Sequence, residues 1–236
     1  MEGCFFCDPD EDRVLYKSEH FYVLLGLGPI VEGYAILVAR QHVRSMFDLP
    51  EELRDAYTTE KRHLKDLIRR VYGSSIVTEH GRVLACTVED KEAHDLLCYH
   101  AHQLFFPVDI DLSRLSNDGP FEKIEFPGNS LFNVNPSQLQ DDEEYLLFEN
   151  SAGQVFVHKV RGKCPRQYMR YLVARSQGRP ELASWQRYPG WTRIREAQRK
   201  YQYARASVLV TLSPRSQRPT VLTSTPIFSA TSLWER

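Results

Sequence analysis

The run Cys98-Tyr99-His100-Ala101-His102-Gln103-Leu104-Phe105-Phe106-Pro107 constrains this chain more than any other part of it. Two histidines sit one residue apart inside a stretch that otherwise reads as a buried strand. On a strand, residues two apart point to the same face. His100 and His102 therefore project side by side, with Leu104 next in line. Buried imidazoles are costly unless their nitrogens find partners. The same arrangement holds a neutral nitrogen nucleophile in one direction.

Around that run the chain alternates between strand and helix signals. Tyr22-Val23-Leu24-Leu25 and Ala35-Ile36-Leu37-Val38 read as strands within 13–25 and 33–39, joined by a turn-rich Gly26-Leu27-Gly28-Pro29. Asp48-Leu49-Pro50-Glu51 predicts a helix start capped by Asp48. Leu53, Tyr57, Leu64, Leu67, Ile68 and Val71 follow at helical spacing, and Gly73 ends the helix. Ile76-Val77-Thr78 and residues 98–106 are the next strands, and 108–142 reads as irregular. Tyr145-Leu146-Leu147-Phe148 and Val155-Phe156-Val157 predict a hairpin, and helices follow at about 166–177 and 190–204. The expected layout is α+β with an antiparallel sheet. Residues 1–110 form the core, and 111–205 an extension that completes or flanks it. The Ser-, Thr- and Pro-rich residues 206–236 read as a poorly ordered tail.

A net charge of −1 excludes a general polyanion binder, although the total hides an asymmetry. Residues 161–200 hold eleven Lys and Arg against two Glu, and residues 109–150 hold ten Asp and Glu against Arg114 and Lys123. Two solvated faces that attract each other account for this; a phosphate-bearing ligand near the basic segment is the alternative. No apolar stretch approaches membrane-spanning length, so no membrane partner is expected. The amino terminus lacks a basic region followed by an apolar one, and the expectation is a cytoplasmic protein. Five cysteines, an odd number, argue against a disulfide framework there. Cys4 and Cys7 form a C-x-x-C pair, weak evidence for a metal by itself.

The motif from Cys98 to Pro107 resembles the signature of the histidine triad (HIT) superfamily, His-x-His-x-His followed by apolar residues. Other segments agree in order. Cys4-Phe5-Phe6-Cys7 with Arg13-Val14-Leu15-Tyr16 and His20-Phe21 resembles the amino-terminal strand region. Gly33-Tyr34-Ala35-Ile36-Leu37-Val38, then Arg40-Gln41-His42-Val43, resembles the strand leading into the K-x-H segment. Glu79-His80-Gly81 resembles the E-H-G before the triad. The segment from Gln167 to Arg187 is similar to a C-terminal extension of some longer HIT-like proteins, here an α/β addition.

The resemblance implies an antiparallel sheet with helices packed on one face, often paired into a dimer, and leaves a homodimer open. It implies attack on the α-phosphorus of a nucleotide-linked substrate, a covalent nucleotidyl-histidine, and release to water, phosphate or a sugar phosphate. Hydrolase and nucleotidyltransferase both fit. His102 matches the nucleophile and His100 the orienting histidine, with Glu79, Gly81 and Leu104 near the substrate. Cys4, Cys7, His42 and His100 match positions where several HIT-like proteins, including the galactose-1-phosphate uridylyltransferase branch, hold structural Zn2+. The third triad position is Leu104, which donates no proton. The uridylyltransferase branch has Gln there; Gln103 is one residue early and would face the site only through a bulge at 103–104. The rival reading is a non-catalytic nucleotide- or RNA-end-binding module.

Overall fold

The computed structural model describes residues 4–83, 100–115, 119–165 and 167–212. Eight strands form one antiparallel sheet: β1 (Val14–Lys17), β2 (Phe21–Leu25), β3 (Ala35–Ala39), β4 (Ile76–Gly81), β5 (His102–Phe106), β6 (Phe121–Ile124), β7 (Tyr145–Glu149) and β8 (Val155–Val160). Their spatial order is β1-β2-β3-β5-β4-β7-β8-β6, so β5 lies between β3 and β4. The hairpin of β7 and β8 joins through β4, so residues 145–160 continue the same sheet.

Helix α1 (Arg54–Tyr72) buries Tyr57, Leu64, Leu67 and Ile68, a stripe of the 3.6-residue period. Gly73 ends it at φ 94°, where a side chain would be strained. Helix α3 (Trp191–Leu212) adds Ile194, Ala197 and Tyr201 to the same core as α1, and the Tyr201 hydroxyl donates to the Gly33 carbonyl at 2.7 Å. Helix α2 (Tyr168–Ser176) packs Met169, Leu172 and Val173 on the opposite face of the sheet. Every residue of β2, β3 and β7 is buried, as strands covered on both faces must be.

The α+β antiparallel layout is as the sequence predicts. Three local features differ. Asp48 does not cap α1. Two 3-10 turns, Met46–Asp48 and Glu51–Leu53, precede a helix that starts at Arg54, and the Asp48 carboxylate accepts from Arg82 and the Ser45 hydroxyl instead. Strand β6 lies inside the stretch expected to be irregular; only Phe121 and Ile124 are buried in it, too few to give an alternating pattern. Helix α3 continues through Leu212 into the expected tail, whose remainder lies outside the described residues, as do Cys86 and Cys98.

Arg170 ties α2 to the turn after β2. Its buried guanidinium donates to the carbonyls of Gly28, Leu182 and Ala183 and lies over the Tyr34 ring. Gly28 sits at φ 61°, and a Cβ there would come within 2.6 Å of Trp185. Close chain approach therefore accounts for this glycine in the turn-rich connection. The acidic and basic segments meet at Arg161, which pairs with Glu122 and Glu143. No helix among the described residues is long and apolar enough to cross a membrane.

Candidate functional site

Strand β5 pairs with β3 in unbroken register: Val38 with His102, Leu37 with Gln103, Ile36 with Leu104. There is no bulge. Alternation then divides the expected site residues between two faces. His102 and Leu104 point to the α2 face, where Leu104 packs beside Phe6 and Ile36. Gln103 points to the α1 face. Its side chain is buried, accepting from the Tyr57 hydroxyl at 2.8 Å and donating to Glu79 at 2.9 Å.

The expected catalytic role of Gln103 and the substrate contacts of Glu79 and Gly81 are therefore corrected. Glu79 is 2% exposed and accepts from the Met46 N–H, the Tyr145 hydroxyl and Gln103. Burial raises its pKa to about 7 against the pull of those three donors. Gly81 lies on the same face, and a Cβ there would come within 2.2 Å of the Tyr145 ring. These residues form a buried polar network under the sheet, on the opposite face from His102.

His100 precedes β5 and His102 opens it, and both rings lie against Phe6. His102 Nδ1 lies 2.7 Å from the His100 carbonyl. A carbonyl only accepts, so Nδ1 carries the proton and Nε2 keeps its lone pair. Burial holds the His102 pKa below 6.5, which keeps the ring neutral at pH 7. His100 stands just before β5, and its Nε2 lies 2.5 Å from the Ala39 carbonyl. By the same reasoning His100 Nδ1 is the free acceptor. Burial lowers its pKa to about 4.

That free Nδ1 faces two thiols: Cys4 Sγ at 3.4 Å and Cys7 Sγ at 3.6 Å. His42 Nδ1 lies 3.2 Å from Cys7 Sγ. The ligand atoms of Cys4, Cys7, His42 and His100 all fall within 4.8 Å of one another. Tetrahedral zinc, with bonds of about 2.3 Å to sulfur and about 2.0–2.1 Å to nitrogen, places neighbouring S and N atoms about 3.5 Å apart. The donor set fits that ion. The His100 N–H to the Ala39 carbonyl is the outer contact that orients a metal-binding imidazole. Burial and the Cys4 thiol raise the Cys7 pKa.

Two participants escape a sequence reading. Phe6, between the cysteines, lies over His102 with ring centroids 4.5 Å apart and meets His100 edge-on at 5.7 Å. The Tyr22 hydroxyl fixes the Phe6 carbonyl at 2.6 Å. Glu144, in the acidic run 141–144, places a carboxylate oxygen 3.5 Å from His80 Nε2. Phe6 gives no signal in the sequence beyond its place in the C-x-x-C loop.

Fold and site together define an α+β protein in which a Cys₂His₂ cluster adjoins an oriented strand histidine. No protein-family model matches the chain, and no curated protein matches it. The solved structures that it matches include histidine triad proteins. A HIT-like protein from Bartonella henselae, described as involved in cell-cycle regulation, is 12% identical over 40% of this chain and 66% of that one, at TM-score 0.30. A HIT family member from Bacillus subtilis is 17% identical over 45% of this chain and 73% of that one, at TM-score 0.35. A Zn-bound histidine triad family protein from Mycobacterium smegmatis is 18% identical over 44% of this chain and 74% of that one, at TM-score 0.32.

Proposed function

We propose that this chain is a HIT-like enzyme that transfers or hydrolyses a nucleotidyl group through a covalent adduct on His102. The observation that carries this reading is the 2.7 Å contact between His102 Nδ1 and the His100 carbonyl. It fixes the tautomer and leaves Nε2 as a neutral nucleophile, which attacks phosphorus without first losing a proton. In the reading, Nε2 bonds to the α-phosphorus as the leaving group departs. Water or a second phosphate then releases the nucleotide.

Cys4, Cys7, His42 and His100 would hold Zn2+. With all four positions filled by protein, the ion would contribute structure, joining the amino-terminal loop to the active strand. Around it, His100 orients His102 through its carbonyl, Phe6 covers the ring, and Leu104 supplies an apolar wall.

The test is incubation of the protein with a dinucleoside polyphosphate or a nucleoside phosphorimidazolide, followed by peptide mass spectrometry. A nucleotidyl adduct on His102, absent in His102→Ala, is the expected result. A second reading, a nucleotide-binding module without turnover, draws support from Leu104 at the third triad position and from Gln103 turned to the other face. Tight binding with nucleotide recovered unchanged and no adduct would decide for it.

A further inference from the structure

Leu104 leaves open how a leaving group is protonated, and the sheet register points to an answer. Thr78 of β4 pairs with Leu104 of β5. Two residues along each antiparallel strand stand His80 and His102. The Glu79–Gln103 hydrogen bond confirms the register, because those two meet on the α1 face. His80 and His102 therefore neighbour each other across the strands on the α2 face.

His80 is poised as a dyad. Its side chain is 13% exposed, and the Glu144 carboxylate lies 3.5 Å from Nε2. Nε2 is buried with no other partner, and Nδ1 makes no hydrogen bond among the described residues. The row continues over Leu146 to His158, which is fully buried with both ring nitrogens unpartnered among the described residues.

We propose that His80, backed by Glu144, is the proton donor that stands in for the missing third histidine, and that the leaving group lies over β4 on the side of His80. This rests on the nucleotidyl-transfer reading of His102. In the first half-reaction the His102 Nε2 lone pair forms an N–P bond as the P–O bond to the leaving group breaks. The departing oxygen takes a proton from imidazolium His80, which becomes neutral with its remaining N–H toward Glu144. In the second half, water attacks phosphorus and passes a proton back to His80. The P–N bond breaks and its electron pair returns to His102.

The experiment compares two substrates in the unaltered protein and in His80→Gln and Glu144→Gln. One is a nucleoside 5′-monophosphate p-nitrophenyl ester, whose leaving group departs without a proton. The other is the matching alkyl ester, whose leaving group needs one. His80→Gln should retain the His102 adduct rate with the p-nitrophenyl ester within about threefold. The alkyl ester should slow by about 10²–10⁴-fold. Glu144→Gln should show the same selectivity more weakly. Equal losses on both substrates would make His80 a structural residue and overturn the proposal, as would no loss on either. Absence of any adduct in the unaltered protein with the p-nitrophenyl ester would overturn the His102 reading itself, and this proposal with it.

Discussion

The Phe6 ring lies over the His102 imidazole at 4.5 Å between centroids, tilted by 31°. Phe6 belongs to the same four-residue loop that brings Cys4 and Cys7 to His42 and His100. The loop that would hold the metal thus also covers the candidate nucleophile. An imidazole tied at Nδ1 can still rock about that bond, and a ring against its face restrains it.

Replacing Phe6 tests that restraint. Phe6→Ala should lower the single-turnover rate of His102 adduct formation by about tenfold while leaving nucleotide affinity nearly unchanged. Phe6→Leu, which keeps apolar cover, should recover most of the rate. Equal rates in the unaltered protein and Phe6→Ala would show that the ring only packs.

The metal cluster predicts one Zn2+ per chain by elemental analysis. Cys4→Ala or Cys7→Ala should abolish that stoichiometry. Prolonged chelation should lower the melting temperature, because an ion that binds only the folded state stabilises it by mass action. It should also raise the reactivity of Cys7 toward a thiol reagent. A protein that purifies without metal and melts at the same temperature with and without added zinc would refute the assignment.

Gln103 should matter for stability and not for chemistry. Gln103→Leu leaves the Tyr57 hydroxyl and one Glu79 oxygen without their partner, at a cost of about 1–3 kcal/mol. Urea unfolding reads this loss. The His102 adduct rate, measured well below the unfolding midpoint, should change by less than about threefold. A large fall in rate without loss of stability would return Gln103 to the reaction.

Two buried groups give opposed pH dependences. The folded-state pKa of Glu79 is raised from 4.5 to about 7. Its contribution is therefore complete below pH 4.5 and lost as pH rises to about 7. The pKa of His158 is lowered by burial from 6.5 to about 4. Its contribution is complete above pH 6.5 and lost as pH falls to about 4. Each is worth about 3 kcal/mol at about 1.36 kcal/mol per pH unit, and between pH 4.5 and 6.5 they offset. Glu79→Gln keeps acceptors for Met46 and Tyr145 and needs only a flip of the Gln103 amide. It should unfold more easily as pH falls below 6.5 and show no loss above it. His158→Leu should lose stability as pH rises from 4.5 to 7. Urea melts across pH 4–8 check both, and slopes of the opposite sign would sink the assignment.

Features that depend only on backbone period are readable in the local sequence. Two histidines two residues apart on extended chain share a side, whatever surrounds them. The spacing of Tyr57, Leu64 and Ile68 makes a helix stripe, and Gly73 closes that helix because it takes a positive φ without strain. The C-x-x-C pair and the candidate nucleophile were legible for the same local reason. Which distant residues meet depends on the assembled sheet. The unbroken pairing of β3 with β5 sent Gln103 to the α1 face. The fold as a whole gathered thiols and imidazoles more than ninety positions apart, Cys4 and Cys7 with His100, and laid Phe6 on His102, while the pairing of β4 with β7 set Glu144 beside His80. Alternation along a strand is fixed within a few residues. Register and neighbour choice are fixed by the sum of many weak cross-strand and packing contacts, which no short segment contains.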